Sequence, residues 1–549
     1  MKKGTKKNPG PGAGFAAVFF LLLACATVAA VPEGSPTAAS VEVEQEQVPP
    51  TLLVFIIVDQ LRGDLLDRYA SLFQGGIKRL MDEGLSFSNA LHDHAQTETS
   101  PGHATLSTGV FPSRAGIPSN VWREGSGPDV QPVYNVVDPG EALVDVPGLP
   151  GSSPAVLLRT GLADWVQEAN SDAKVVSVSA KDRAAVLMAG KSRGEVYWYD
   201  SRAGGFVTST YYRDDNPTWL RRFNDLGLEK LAGDSVWASI IPPGGEYLSA
   251  PDTAAFEGDG VHTYLPHRFT QEVSDPGPGD FAFWFETTPM LDRATLEVAL
   301  LAMKEEGLGE DAGRTDYLSI SFSQTDRIGH AYGPLSREQM DNLLRLDLVL
   351  ADLFSTLDQE VGRDNYAVAF TGDHGVMNNP ERIEAGGKRL TEEDRTELGE
   401  ALGAAARQAG LRPDISITDA MLEVLEVLDF VGPAYSQEAL MGPAPGDSIA
   451  VLFQHSFSPG RPGGLLSTYG IEMWWTENTL PWGMPVGTTH GSPFYYDRWV
   501  PMILMGPGIQ PGKVDERVRP MDLAPTLAFL AGIPYPEDLD GRPVVPGGG

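Results

Sequence analysis

The stretch "TLLVFIIVDQ", Thr51 to Gln60, sets seven apolar residues in a row and ends them on an acid. A strand wet on one face alternates apolar with polar residues, whereas an unbroken, β-branched run suits a strand covered on both faces. "YLSISFSQTD" (317–326), "YAVAFTGDHG" (366–375) and "WVPMILMGPG" (499–508) read as further strands. Between them run amphipathic helices. The clearest spans Ser336 to Val361, where Met340, Leu343, Leu344, Leu348, Leu353 and Leu357 recur at helical spacing. The pattern predicts an α/β fold with a central, mostly parallel sheet sandwiched by helices. Glycine, proline and polar residues dominate at about 116–279 and 378–487, which read as insertions in one catalytic domain covering 51–549.

Three of these strands end alike: at Asp59, at Asp326, and at Asp373 followed by His374. Open α/β sheets gather ligands beyond the carboxyl ends of their strands, so the three endings can converge. One such Asp would ordinarily cap a helix or make a turn. Two features point further. Asp326 and His330 are four residues apart and share a face if a helix starts there. Asp373 and His374, as neighbours, can turn towards two different ions. Another imidazole, His490, lies in the Gly-containing loop "VGTTHGSPF". Mixed Asp and His donors suit zinc or another borderline divalent metal, and two such ions about 3.5–4 Å apart clamp an in-line phosphoryl displacement.

Hydroxyls crowd the stretch "HDHAQTETSPGHATLSTG", His92 to Gly109. Proline at 101 marks the first turn of a helix, which sets Thr97, Thr99 and Ser100 at or just before a helix N-terminus. Free N–H groups and the positive end of the dipole favour an alkoxide or a phosphoryl group there. An unaided hydroxyl is too weak an acid to attack at neutral pH, and a coordinated metal supplies the activation. The spacing leaves open which of the three reacts. In "SAKDRAAV", Lys181 and Arg183 are two apart and project to one side if the segment is extended.

Composition narrows the field. With 41 basic against 74 acidic residues and a net charge of −33, the surface repels nucleic acid, and an anionic substrate must be held by metal ions or a few placed cations. Cys25 is the sole cysteine, so the mature chain has neither an internal disulfide nor a thiolate site. Residues 1–30 read as a signal peptide, with four lysines before the uncharged run Phe15–Val28, and 31–50 as a disordered tether. The expectation is export, to the periplasm or beyond, as a soluble product. The alternative is a lipid anchor at Cys25, because "LLAC" is similar to a lipoprotein box. No other segment is apolar enough to cross a membrane, and a monomer is the favoured state.

"VDQLRGD", "QTETSPGHATLSTG", "SAKDRAAVLMAG", "SQTDRIGHAYG", "FTGDHGVM" and "HGSPFYYDRWVPMILMGPG", in this order, resemble the alkaline phosphatase superfamily. Within it the chain is most similar to the bacterial phosphate-irrepressible alkaline phosphatases, relatives of the nucleotide pyrophosphatase/phosphodiesterases. The resemblance implies a metal-dependent phosphate monoesterase that acts on small phosphate monoesters through a phosphothreonine. Thr99 would be the nucleophile, with Ser100 as a helix cap. One zinc would lie on Asp326, His330 and His490, the other on Asp59, Asp373 and His374 beside Thr99; Mn, Co or Fe also suit such donors. Asn120, Lys181 and Arg183 would hold the phosphoryl oxygens, which favours a dianionic monoester over a singly charged diester. His103 would support or pack, and neither His92 nor His94 would bind metal. Two other readings stand beside this one. A phosphodiesterase or nucleotide pyrophosphatase would need an apolar base pocket, for which "MWWTENTLPW" offers exposed aromatic residues; a non-catalytic, metal-dependent phosphate-binding surface protein would need no nucleophile. Val110, where the sulfatase signature needs Cys or Ser, argues against sulfatase activity.

Overall fold

A computed structural model describes residues 48–124, 131–232, 235–277, 279–411, 415–443 and 446–544. The expected signal peptide, Cys25 and nearly all of the tether lie outside the described residues.

The opening stretch is the middle strand of the sheet, fifth of nine. β1 (Leu52–Val58) is joined in one nine-stranded sheet by β2 (Leu85–Leu91), β3 (Val175–Ser179), β4 (Glu195–Asp200), β5 (Gly205–Val207), β6 (Asp316–Phe322), β7 (Tyr366–Thr371), β8 (Trp499–Met505) and β9 (Gly512–Val518). The spatial order is β9-β2-β8-β7-β1-β6-β3-β4-β5. The run from β7 to β4 is parallel, while β5 and β8 are antiparallel to their inner neighbours. Every residue of β1 is buried, and its side chains alternate between two cores. Leu52, Val54, Ile56 and Val58 enter one core; Leu53, Phe55 and Ile57 enter the other. Helices cover both faces, so the apolar run needs no polar side.

The helices that matter to the site are α1 (Thr99–Thr108), α2 (Asp182–Ala189), α3 (Met290–Glu306), α4 (Gln324–Tyr332) and α5 (Arg337–Glu360). Ser336 caps α5 through its hydroxyl, which accepts from the Gln339 amide at 3.1 Å. Of the residues expected to line that helix's apolar face, only Leu348 is half-exposed.

One expectation needs correction. The segment 116–279 is not wholly an insertion, because β3, β4 and β5 within it complete the central sheet. These strands are short and lie between Gly-rich loops, which hid them. The segment 378–487 forms a satellite with its own core, built on α6 (Glu392–Ala409) and α7 (Ile417–Leu425). Among the described residues no helix is long and apolar enough to cross a membrane.

Candidate active site

The ends of β1, β6, β7 and β3 stand level, with Val58 opposite Phe322, Ile57 opposite Thr371, and Ser321 opposite Ser179. Asp59, Asp326, Asp373, His374 and Lys181 therefore follow neighbouring strands onto one rim. β8 runs the other way, so its amino end meets that rim and the preceding loop delivers His490. β2 ends beside the start of β8, Leu91 against Trp499, and the chain leaving it leads into α1 and Thr99.

The six Asp and His side chains meet there. Two sets have donor atoms close enough to share an ion: Asp59, Asp373 and His374, and Asp326, His374 and His490. His330 belongs with the second, its Nε2 lying 3.2 Å from Asp326 Oδ1 and 3.1 Å from His490 Nε2. His374 stands between the sets, its ring stacked on His490 with centroids 3.7 Å apart. Each imidazole is oriented by the same device, in which Nδ1 faces a backbone carbonyl: Thr488 for His330 at 2.9 Å, Gly375 for His374 at 2.9 Å, and Thr97 for His490 at 2.7 Å. That contact places the ring proton on Nδ1 and turns the Nε2 lone pair inward.

The donors fit divalent cations. Asp59 Oδ1, Asp373 Oδ2 and His374 Nε2 are buried without a hydrogen-bond partner, and all three belong to one set. Uncompensated polar atoms of this kind are costly unless an ion joins them. In the other set, the two Nε2 atoms 3.1 Å apart need a proton or a cation between them. Burial alone would lower His490, but Asp326 overrides it and raises the imidazole to about 9. Burial and the charge of His490 keep His374 well below its ordinary value. Burial and then Asp373 push Asp59 up, whereas at Asp326 the Lys181 ammonium and His330 overcome burial and hold the carboxyl well below the usual range.

Thr99 is the first residue of α1 and is 1% exposed, so the hydroxyl faces the rim and not the surface. Its Oγ1 is 3.4 Å from both Lys181 Nζ and Arg183 Nη2. Lys181 also bridges the two sets, 2.7 Å from Asp59 and 2.5 Å from Asp326. Thr97 is otherwise engaged, donating to the Ser492 carbonyl at 2.9 Å. Ser100 is not the cap expected of it, since it lies inside the first turn. Its amide instead donates to Asn120 Oδ1 at 2.9 Å, which leaves the Asn120 amide group as the donor. Gly102 lets α1 approach β7, for a Cβ there would lie 2.4 Å from the Asp373 carbonyl oxygen. Lys181 and Arg183 do not share an extended segment; Lys181 caps α2 and Arg183 lies in its first turn.

His103 holds α1 against the sheet, with Nδ1 on the Thr99 carbonyl and Nε2 on Ser321 Oγ, each at 2.8 Å. His92 faces the Gly372 carbonyl and His94 the Gln96 carbonyl; neither joins a ligand set. Of the aromatic residues of "MWWTENTLPW", Trp475 is buried in the satellite core, while Trp474 and Trp482 are half-buried against it and Trp474 reaches Gly491 beside His490.

Several site residues carried no signal in the sequence. Gln60, at φ +67°, ties the two sets together, its amide donating to Asp373 at 3.0 Å and its side chain to Asp326 at 2.8 Å. Asp292 on α3 accepts from the amides of Ser323 and Gln324, at 3.0 and 3.3 Å, and so caps α4 from a distance. Glu98 accepts from the Asn120 amide at 2.6 Å, and Asn135 bridges Ser100 Oγ and the Asn120 carbonyl at 2.7 and 2.6 Å. Each contact joins residues distant in the chain or rests on backbone, which no residue pattern records.

A covered α/β sheet with paired carboxylate–imidazole groups on its carboxyl rim is the framework of an enzyme with a binuclear type of metal centre. Residues 53–426 match the model of the type I phosphodiesterase / nucleotide pyrophosphatase family. Alkaline phosphatase PhoV of Synechococcus elongatus is 32% identical over 524 residues, covering 90% of this chain and 92% of its own. A protein of Myroides odoratus named calcium-transporting ATPase is 30% identical over 527 residues, covering 90% and 94%. The crystal structure of wild-type alkaline phosphatase PafA superposes with a TM-score of 0.78 at 29% identity, covering 90% of this chain and 98% of that one. The chain belongs to the alkaline phosphatase superfamily, in the type I phosphodiesterase / nucleotide pyrophosphatase family and similar to the phosphate-irrepressible alkaline phosphatases.

Proposed function

We propose that the protein hydrolyses phosphate monoesters through a covalent phosphothreonine on Thr99. The observation that carries this reading is the seating of Thr99 Oγ1 at the start of α1, 3.4 Å from both Arg183 and Lys181, the latter also meeting Asp59 and Asp326 of the two ligand sets. Asp326, His330 and His490 would hold one divalent cation and Asp59, Asp373 and His374 another, zinc being the ion best suited to these donors. Bound there, such ions supply Lewis-acid stabilisation of oxyanions and lower the pKa of a coordinated hydroxyl.

The chain's own groups do the rest. Thr99 Oγ1 forms a bond to phosphorus, its proton passing to solvent, as the ester oxygen leaves with its alkyl or aryl group and takes a proton from water; a second water then cleaves the phosphothreonine, releasing inorganic phosphate and restoring the hydroxyl. Arg183, Lys181 and the Asn120 amide bind the non-bridging oxygens, and the amino end of α1 adds its dipole. A monoester brings a doubly charged phosphoryl group, which gains more from two fixed cations than a diester does. The PhoV and PafA relatives are named as alkaline phosphatases.

The test is hydrolysis of p-nitrophenyl phosphate by the metal-loaded protein. Turnover should vanish with chelator and with Thr99→Ala, and acid quenching should trap label from a radioactive monoester on Thr99. A phosphodiesterase reading is favoured by the matched family model. Greater kcat/KM for bis(p-nitrophenyl) phosphate than for the monoester would establish it instead.

A further inference from the structure

Arg183 reaches Thr99 with one edge only. Its Nη2 lies 3.4 Å from Thr99 Oγ1, its Nε has no partner, and its Nη1 donates to the Tyr134 hydroxyl at 3.1 Å. Nε and Nη2 form the edge of a guanidinium that binds two oxygens side by side, so the nitrogen tied to Tyr134 is the one a phosphoryl group does not need. The Tyr134 oxygen can accept this bond because its own proton goes to Asp182 Oδ1 at 2.6 Å. Loss of solvation raises the phenol well above its ordinary value, against Arg183 and with Asp182, which keeps that proton in place under alkaline conditions.

Tyr134 is carried to this position by the antiparallel strands Val121–Glu124 and Gln131–Tyr134, in which Val121 pairs with Tyr134. The two residues flanking the pair, Asn120 and Asn135, are the ones that bind the first turn of α1. One small two-stranded unit thus reaches the phosphoryl site with both of its strands, at the end where Val121 pairs with Tyr134.

We propose that Tyr134 is a positioning residue that holds the Nε–Nη2 edge of Arg183 towards Thr99 and thereby sets the preference for dianionic phosphate esters. This rests on the reading that Arg183 binds the phosphoryl group. The experiment is a double-mutant cycle, Tyr134→Phe and Arg183→Ala alone and together, on p-nitrophenyl phosphate and bis(p-nitrophenyl) phosphate, with inorganic phosphate as inhibitor. Tyr134→Phe should lower monoester kcat/KM and weaken phosphate inhibition by about tenfold each, leave the diester within about twofold, and add nothing to Arg183→Ala. Additive losses in the double variant, an equal loss on both esters, or no loss at all would overturn the inference. If Arg183→Ala alone hits both esters equally, the phosphoryl-binding reading fails first and this inference falls with it. Should Tyr134→Phe not fold, Asp182→Asn, which weakens the acceptor for the phenol proton, should give the same split between esters, and its absence would count equally against.

Discussion

At the scale of single residues, the site separates groups that touch substrate from groups that aim them. Thr99→Ala should lower monoester kcat/KM by roughly 10³-fold or more with little change in thermal midpoint, since the side chain is small and makes few other contacts. Lys181→Ala and Arg183→Ala should each cost about 10²-fold on the monoester and far less on the diester, as measured by parallel steady-state kinetics. Gln60 acts differently. Its side chain reaches the Asp326 carboxylate at 2.8 Å, and its positive φ stores strain that only a well-held neighbourhood sustains. Gln60→Ala should weaken zinc binding by about 10–100-fold in a chelator competition, while leaving the amide bond to Asp373 in place. The candidate ligands were legible because three apolar runs end alike on Asp, with His330 four residues after one and His374 beside another. Gln60, Tyr134 and Asn135 were not, because what each does depends on a partner distant in the chain.

At the scale of elements, helices are set against strand ends by close approaches. Gly102→Ala puts a methyl group where the Asp373 backbone lies, so α1 must move and carry Thr99 with it. A displacement of about 1 Å costs on the order of 10²-fold, and kcat should fall by that much in a folded protein. Asp292, 2% exposed, binds the first amides of α4 in place of a local cap. Asp292→Ala should loosen the helix that presents Asp326 and His330, seen as faster amide exchange in 324–332 and weaker metal binding. The long helix after Ser336 was readable to within a residue, since its apolar side chains recur at helical spacing from Met340 to Leu357. The strands inside 116–279 were not, since β5 has only three residues, Gly205 to Val207, and gains its place from pairing with β4.

At the scale of the whole molecule, the centre joins the sheet, the satellite-bearing loop and α1. Chelation should therefore lower the thermal midpoint, and zinc should restore it; an ion at a hundredfold excess over its Kd contributes about 2.7 kcal/mol. A second effect belongs to pH. Burial works to lower His267, but hydrogen bonds that the imidazole donates to Glu272 and Glu338 raise it to about 9. Because the folded value lies above the unfolded one, this contribution is complete below about pH 6.5 and is lost as pH rises towards 9. The thermal midpoint should fall across that window, and less so in His267→Gln. The centre also has a temporal meaning. Asp59 is made early in synthesis and His490 late, with α4 and β7 between them, so a chain still emerging from the ribosome cannot complete either the rim or its ion cage. Completion of both sets is thereby tied to the finished polypeptide, since a product that stops short of His490 keeps Asp59, Asp373 and His374 but lacks a donor of the other set.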